Sequence, residues 1–310
     1  MTVQPIAVQP VAPGERLRGL AETEFRELGR HLGAARRGKD SGVHGCRKSL
    51  QRLRALVRLL APANVEWARR EDGLLRECRR RLGRLRDAAV RLELVEKLGK
   101  RELSEADRAQ LDSAIAQISA ARLAVWASYP PEAAFWDVLE KAAARLQSRL
   151  VKWPLDELNE KRISQAIERA RSRVRESLKD ALGRVERTHR HDLRRRLRRF
   201  AALRQATAHV IRRRDAGAAV LVELAREMGK EGDLWMAAAA LRKCGHAHET
   251  RALRQMLEKE RRAACKRHDG ELASARRRLL EKPATARESA AKARRAVTVA
   301  AARSETTGES

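Results

Sequence analysis

The chain is poor in aromatic residues, which make up 3% of its 310 positions. Base stacking on aromatic rings is therefore excluded as the main route to a single-stranded nucleic acid. Four cysteines occur, Cys46, Cys78, Cys244 and Cys265, and none shares a CxxC spacing with another. Thiols scattered singly fit a reducing cytoplasm and argue against a disulfide scaffold. The sequence contains no run of roughly 18 apolar residues, so no membrane-spanning helix is expected. Residues 1–13 also lack the basic start and apolar stretch of a secretory signal. Runs of β-branched residues are missing, and the 8 prolines and 17 glycines fall mostly between amphipathic segments, which excludes a sheet-based fold.

Acid is short as well. Asp and Glu total 41 against 69 Lys and Arg, a formal net charge of +28, and 55 of the 69 cations are Arg. Hydrophobic residues, at 43%, are sufficient for a packed core despite this charge. A surface so positive repels itself unless an anion neutralises it, so a polyanion is the expected partner.

What is present is helical periodicity. Helices are expected at about 14–36, 43–61, 65–98, 104–128, 131–150, 157–182, 185–214, 217–229, 232–244 and 246–280. Ser104 followed by Glu105 and Asp107, and Pro130-Pro131 before Glu132, have the composition of helix starts. Residues 1–13 and the Ala-, Arg- and Ser-rich tail 282–310 read as flexible.

An internal repeat organises the rest. His44 is followed by Arg47 and Lys48, and His191 by Arg194 and Arg195. Downstream, Leu82-Gly83-Arg84-Leu85-Arg86-Asp87 is answered by Met228-Gly229-Lys230-Glu231-Gly232-Asp233. The histidines are 147 residues apart (191 − 44) and the glycines 146 (229 − 83). The aspartates repeat the glycine offset of 146 (233 − 87), and one offset kept by two landmarks implies two related helical halves, 14–150 and 151–281.

At 100° per residue, His44, Arg47, Lys48, Gln51, Arg54 and Arg58 share one face of their helix, and Cys46, Leu50, Leu53, Val57 and Leu60 the other. In the second half, Arg194, Arg195 and Arg198 oppose Leu193, Leu197 and Phe200 in the same phase. A solvated helix face ordinarily mixes acids with its cations, because like charges at i,i+4 destabilise a helix. Segment 43–61 instead holds five Lys/Arg and no acid, and segment 184–215 holds 12 Arg against Glu186, Asp192 and Asp215. Segment 76–91 holds seven Arg against Glu77 and Asp87. Such stripes are expected where an anion relieves the repulsion. His44 and His191 begin the stripes, where an imidazole can donate to phosphate and charge as an anion binds. Asp87 and Asp233 are expected to orient arginines. The cluster Cys244, His246, His248 lacks the spacing of a zinc motif, and no metal site is expected. The loops and triads of common catalytic motifs are absent. The five tryptophans, at 67, 126, 136, 153 and 235, are expected as core anchors.

The His44-x-x-Arg47-Lys48 motif running into Leu53-Arg54, the Leu82-Gly83…Arg86-Asp87 segment and the weaker copy from His191 together resemble the CHAD domain, the conserved histidine α-helical domain. The resemblance spans about residues 14–280. It implies an all-α fold of two helical bundles related by a pseudo-twofold, with a basic central groove or pore that binds inorganic polyphosphate. It also implies association with cytoplasmic polyphosphate granules, with no cofactor and no catalysis. On this basis the candidate binding residues are His44, Arg47, Lys48, Arg52, Arg54, Arg58, Arg79 and Arg86 from the first half. His191, Arg194, Arg195 and Arg198 are the candidates from the second. Two departures, Gln51 where the family has Lys or Arg and Gly232 before Asp233, imply unequal contributions from the halves. The alternative partner is nucleic-acid backbone, which the basic helices and tail also suit.

Overall fold

A computed structural model describes residues 11–182, 184, 186–244 and 249–280, with the backbone alone at Arg187 and 274–280. Ten α-helices and no strand occur among the described residues. They are α1 (Pro13–Arg36), α2 (Asp40–Leu60), α3 (Val65–Arg81), α4 (Gly83–Glu96), α5 (Glu105–Ala127), α6 (Ala134–Ser148), α7 (Glu160–Ala181), α8 (Arg187–Val210), α9 (Ala216–Arg242) and α10 (Arg251–Leu280). Among the described residues, one compact unit runs to Leu272, and 273–280 fall in a second. The tail 282–310, residues 1–10 and the His246–His248 pair lie outside the described residues. None of the described helices is long and apolar enough to cross a membrane.

Several helix starts follow from local chemistry. Asn64, Ser104, Asn159 and Asp215 each accept a hydrogen bond from the backbone N–H three residues on, at 2.9, 3.1, 3.0 and 3.2 Å. These are N-caps, each worth about 1 kcal/mol against Ala. α6 starts at Ala134, three residues later than the prolines suggest. The Pro130 carbonyl accepts from the Ala133 N–H at 3.0 Å and from the Trp136 indole N–H at 3.1 Å, so a turn occupies that stretch.

The placing of two helix breaks differs from the sequence expectation. The segment 65–98 breaks at Leu82, whose φ of −74° and ψ of 4° end α3 and begin α4. Conversely, Gly229 and Gly232 do not separate two helices; α9 runs through both. Their purpose is steric, as described below.

α2 is the central element, packed against α1, α3, α4, α7 and α8. Val43, Cys46, Leu50, Leu53, Val57 and Leu60 of its apolar face are all buried, each large side chain contributing about 1.5–3 kcal/mol by its removal from water. Gly38, at φ +78°, turns the chain back after α1. Gly42 and Gly45 then let α2 lie directly on α1. A Cβ on Gly42 would sit 2.3 Å from the Ala35 nitrogen, and one on Gly45 would enter the His31 ring.

One apolar core joins α1, α2, α3 and α6 to Ile163 and Ala166 of α7 and to Leu203, Ala206 and Val210 of α8. Trp67, Trp136 and Trp153 are buried in it. A second core joins α4 and α5 to α9 and Leu253 and Leu257 of α10. Both cores draw on residues before and after position 150. A buried ionic network ties α8, α9 and α10: Arg190 donates to both Glu231 oxygens at 2.6 Å and to Asp269 at 2.7 Å, and the His268 Nδ1 lies 2.5 Å from Glu231. Burial raises the Glu231 carboxyl, but the hydrogen bonds from Arg190 and His268 outweigh it and hold it at about 2. All four cysteines are free and buried, consistent with their isolated spacing.

The contact at Gly42 involves backbone that cannot yield, so Gly42→Ala should cost about 1–3 kcal/mol. The Gly19 position of α1 has open space around it, and Gly19→Ala should gain up to about 1 kcal/mol from helix propensity. Urea unfolding of the two variants checks the pair. Equal effects would show that α1 and α2 are not in close contact at Gly42.

Candidate anion-binding site

The cationic face of α2 begins with the half-buried His44 and Arg47 and the exposed Lys48. Arg47 donates from Nη1 to the backbone carbonyl of Arg79 at 3.0 Å. That carbonyl lies in the last turn of α3, just before the break at Leu82 that separates α3 from α4. A guanidinium there satisfies an orphan acceptor and complements the negative end of the helix dipole.

Further along α2 the cations meet an acid from another helix. Arg54, which is buried, grips Asp72 of α3 with both forks, Nε to Oδ1 at 2.9 Å and Nη2 to Oδ2 at 2.7 Å, and Arg58 reaches the same carboxylate at 2.8 Å. Burial raises the Asp72 carboxyl, but Arg54 and Arg58 outweigh it and hold it below the usual carboxylate range. Burial brings Arg58 down to about 10 against the pull of Asp72, helped by Arg54, Arg199 and Arg173. Arg52 is apart from this group: it is exposed and paired with Glu24 of α1 at 3.0 Å.

Cations from α3, α4 and α8 complete the cluster. Arg79 is lowered to about 10, first by burial and then by the charges of Arg47, Arg54, Arg198 and Arg199. Its Nε is buried and has no hydrogen-bond partner among the described residues. Arg198 is lowered by the protein packed around it and by Arg194 and Arg86, against the opposing charge of Asp233. Arg199 is lowered by burial and by Arg195 and Arg54. Like charges gathered in one place repel one another unless something of opposite sign lies between them. At its edge Arg86 lies 3.8 Å from Glu93. His44 is lowered by burial and by Arg86 and Lys48, with Glu93 opposing and Arg198 adding.

Arg194, the counterpart of Arg47 in the repeat, is held differently. Its guanidinium lies flat on α9 where Gly229 and Gly232 leave room. A Cβ on Gly229 would sit 2.9 Å from Arg194 Nη2, and one on Gly232 2.8 Å from Nη1. Arg194 Nε is likewise buried without a partner among the described residues. The first half thus seats its arginine on a broken helix end and the second on a glycine-notched continuous helix. Burial raises Asp233, while Arg194 and Lys97 draw it down and Glu93 opposes them; like Asp87, whose charge acts on Arg47, it lies beside the arginines it was expected to orient. His191 and Arg195 are exposed; His191 lines a small pocket with Arg194, Met228, Gly232 and Trp235.

The structure therefore brings His44, Arg47, Lys48, Arg54, Arg58, Arg79 and Arg86 to one region with Arg194, Arg195 and Arg198, and leaves Arg52 out. Sequence reasoning missed Asp72, Arg199, Arg173 and the seat at Gly229 and Gly232. Of these the glycine pair was visible, but it reads equally as a helix break. Among the described residues, no group of three or more His, Cys, Asp or Glu could hold a metal ion.

The family model of the CHAD domain matches residues 19–242. No curated protein matches the chain. Among solved structures the fold is similar to that of PptA from Streptomyces chartreusis, at 17% identity and a TM-score of 0.58, covering 85% of this chain and 99% of that one. It is also similar to the CHAD domain from the plant Ricinus communis, at 16% identity and a TM-score of 0.52, covering 89% and 90%. The histidine-led arginine helix, the all-α fold and the family match agree: this chain belongs to the CHAD-domain family.

Proposed function

We propose that the chain binds inorganic polyphosphate at the cluster centred on Arg79, without turning it over, and so associates with polyphosphate granules. The observation that carries this reading is the convergence of Arg47, Arg54, Arg198 and Arg199 on Arg79. Guanidinium forks match phosphate oxygens in pairs, and a polyphosphate chain offers such oxygens at every unit with no base to read. The buried Nε groups of Arg79 and Arg194 are donors that a phosphate oxygen would satisfy. Membership of the CHAD family supports the same ligand. Of the acids nearby, Asp72 is engaged by two arginines and Glu93 by Lys97 at 2.8 Å.

Arg79→Ala and Arg198→Ala should each weaken polyphosphate binding by about tenfold to a hundredfold, the loss of one or two charge-assisted hydrogen bonds. Arg52→Ala should leave it within about twofold, the effect of losing a rim charge already paired. Calorimetric titration at about 150 mM salt measures this, with duplex DNA at equal charge concentration as competitor. Displacement of polyphosphate by DNA would replace this reading with nucleic-acid binding. Phosphate release on incubation with polyphosphate and Mg²⁺ would show turnover.

The glycine seat gives an unusual pairing of effects. Gly229→Ala and Gly232→Ala should hold or raise helix stability, because only the tip of Arg194 has to move, while polyphosphate binding weakens. Thermal melts and titrations on the same samples check this; unchanged binding would mean that Arg194 does not need its seat.

His44 is lowered in the free protein, and a bound anion must raise it. Binding therefore takes up a proton at His44, and affinity should rise as pH falls from about 8 to 6. NMR titration should show the His44 imidazole moving upward with polyphosphate, and His44→Gln should flatten the pH dependence. An unmoved titration would place His44 outside the site.

A further inference from the structure

The faces of α3 and α6 leave a groove of about 510 Å³ between them, which shares no lining residue with the arginine cluster. Its floor includes Leu74, Cys78, Val138, Leu139 and Leu146. Leu74 and Val138 are 43% and 44% exposed, large apolar side chains left facing solvent in one place. Along α6 and its C-cap residue Arg149 the lining recurs at 138, 142, 145 and 149, about 16 Å at 1.5 Å per residue. Such a furrow between two helices accepts a third helix of about three turns, whose apolar residues enter at helical spacing.

The rim defines the occupant's charge. Arg81 pairs with Glu77 at 3.2 Å, and Arg149 pairs with the buried Glu71. Glu77, the acid among the lining residues, is held by Arg80 and Arg81, and the Arg80 hydrogen bond lowers it to about 2. Lys141 and Arg145, also of the rim, are like charges at i,i+4 on α6, a pairing that costs a helix a few tenths of a kcal/mol unless an anion lies between them. A second copy of this chain, at +28, would bring more positive charge to a positive rim.

We propose that this groove is a docking site for an acidic amphipathic helix of a partner protein. Its apolar face covers Leu74 and Val138, and its carboxylates meet Lys141 and Arg145. The surface would let the chain hold polyphosphate at one place and a protein at another.

The test uses the full chain and a fluorescein-labelled 14-residue peptide with Leu at i, i+3, i+7 and i+10 and Glu flanking them. The same composition with its Leu positions scrambled is the control. Fluorescence polarisation should give the patterned peptide at least tenfold tighter binding than the scramble. Leu74→Ser/Val138→Ser should lose about tenfold while polyphosphate binding stays within twofold, since both residues lie outside the arginine cluster. Lys141→Glu/Arg145→Glu, two exposed positions, should lose at least as much. Equal binding of the scramble would assign the attraction to diffuse charge and overturn the proposal, as would unchanged binding by either variant. Displacement of the peptide by phosphatidylglycerol vesicles would assign the groove to a lipid surface. A wild-type dimer in sedimentation that Leu74→Ser/Val138→Ser dissociates would assign it to a second copy.

Discussion

Guanidinium groups packed within reach of one another repel, and the cluster around Arg79 exists only because the surrounding fold pays that cost. Burial of the α2 face against α1, α3, α7 and α8 supplies the opposing term. Its leucines and valines lie at or near zero exposure, while the cations occupy the other face of the same helix. Asp72 then neutralises Arg54 and Arg58, which converts two of the most crowded cations into a brace between α2 and α3. What is left, chiefly Arg47, Arg79, Arg198 and Arg199, is under-compensated. A fold held by apolar burial can carry such a concentration of charge; one held by surface ion pairs could not.

Much of this was legible in the sequence. Opposite placement of Leu50, Leu53 and Val57 and of His44, Arg47 and Lys48 is a consequence of the 3.6-residue period alone, and the all-α class follows from the same pattern. The repeat offset located α8 as the partner stripe. What sequence did not reveal was long-range pairing. Arg52, Arg54 and Arg58 look alike on a helical wheel, yet Arg52 meets Glu24, Arg54 is buried against Asp72 and Arg58 shares that carboxylate. The difference depends on which neighbouring helix each faces, and that is set by packing.

The glycines show the same limit in reverse. Gly83 lies after a true break, and Gly229 and Gly232 lie within a continuous helix, although both sets read as punctuation. In α9 the missing Cβ makes room for Arg194; in α2 it makes room for the backbone of α1. The two arginines are supported differently: Arg47 donates to a carbonyl in the last turn of α3, and Arg194 lies where α9 lacks two Cβ atoms. Both cores span residues from either side of position 150, so the segments before and after it are packed as one unit.

The most direct test is diffraction from crystals grown with a short polyphosphate of defined length. The account predicts phosphate density bridging Arg47 and Arg79 of the first half to Arg198 and Arg199 of the second, with oxygens within hydrogen-bond distance of the Arg79 Nε. Density confined to one half, or lying along exposed arginines such as Arg84 and Arg91 with the Arg79 region empty, would contradict it.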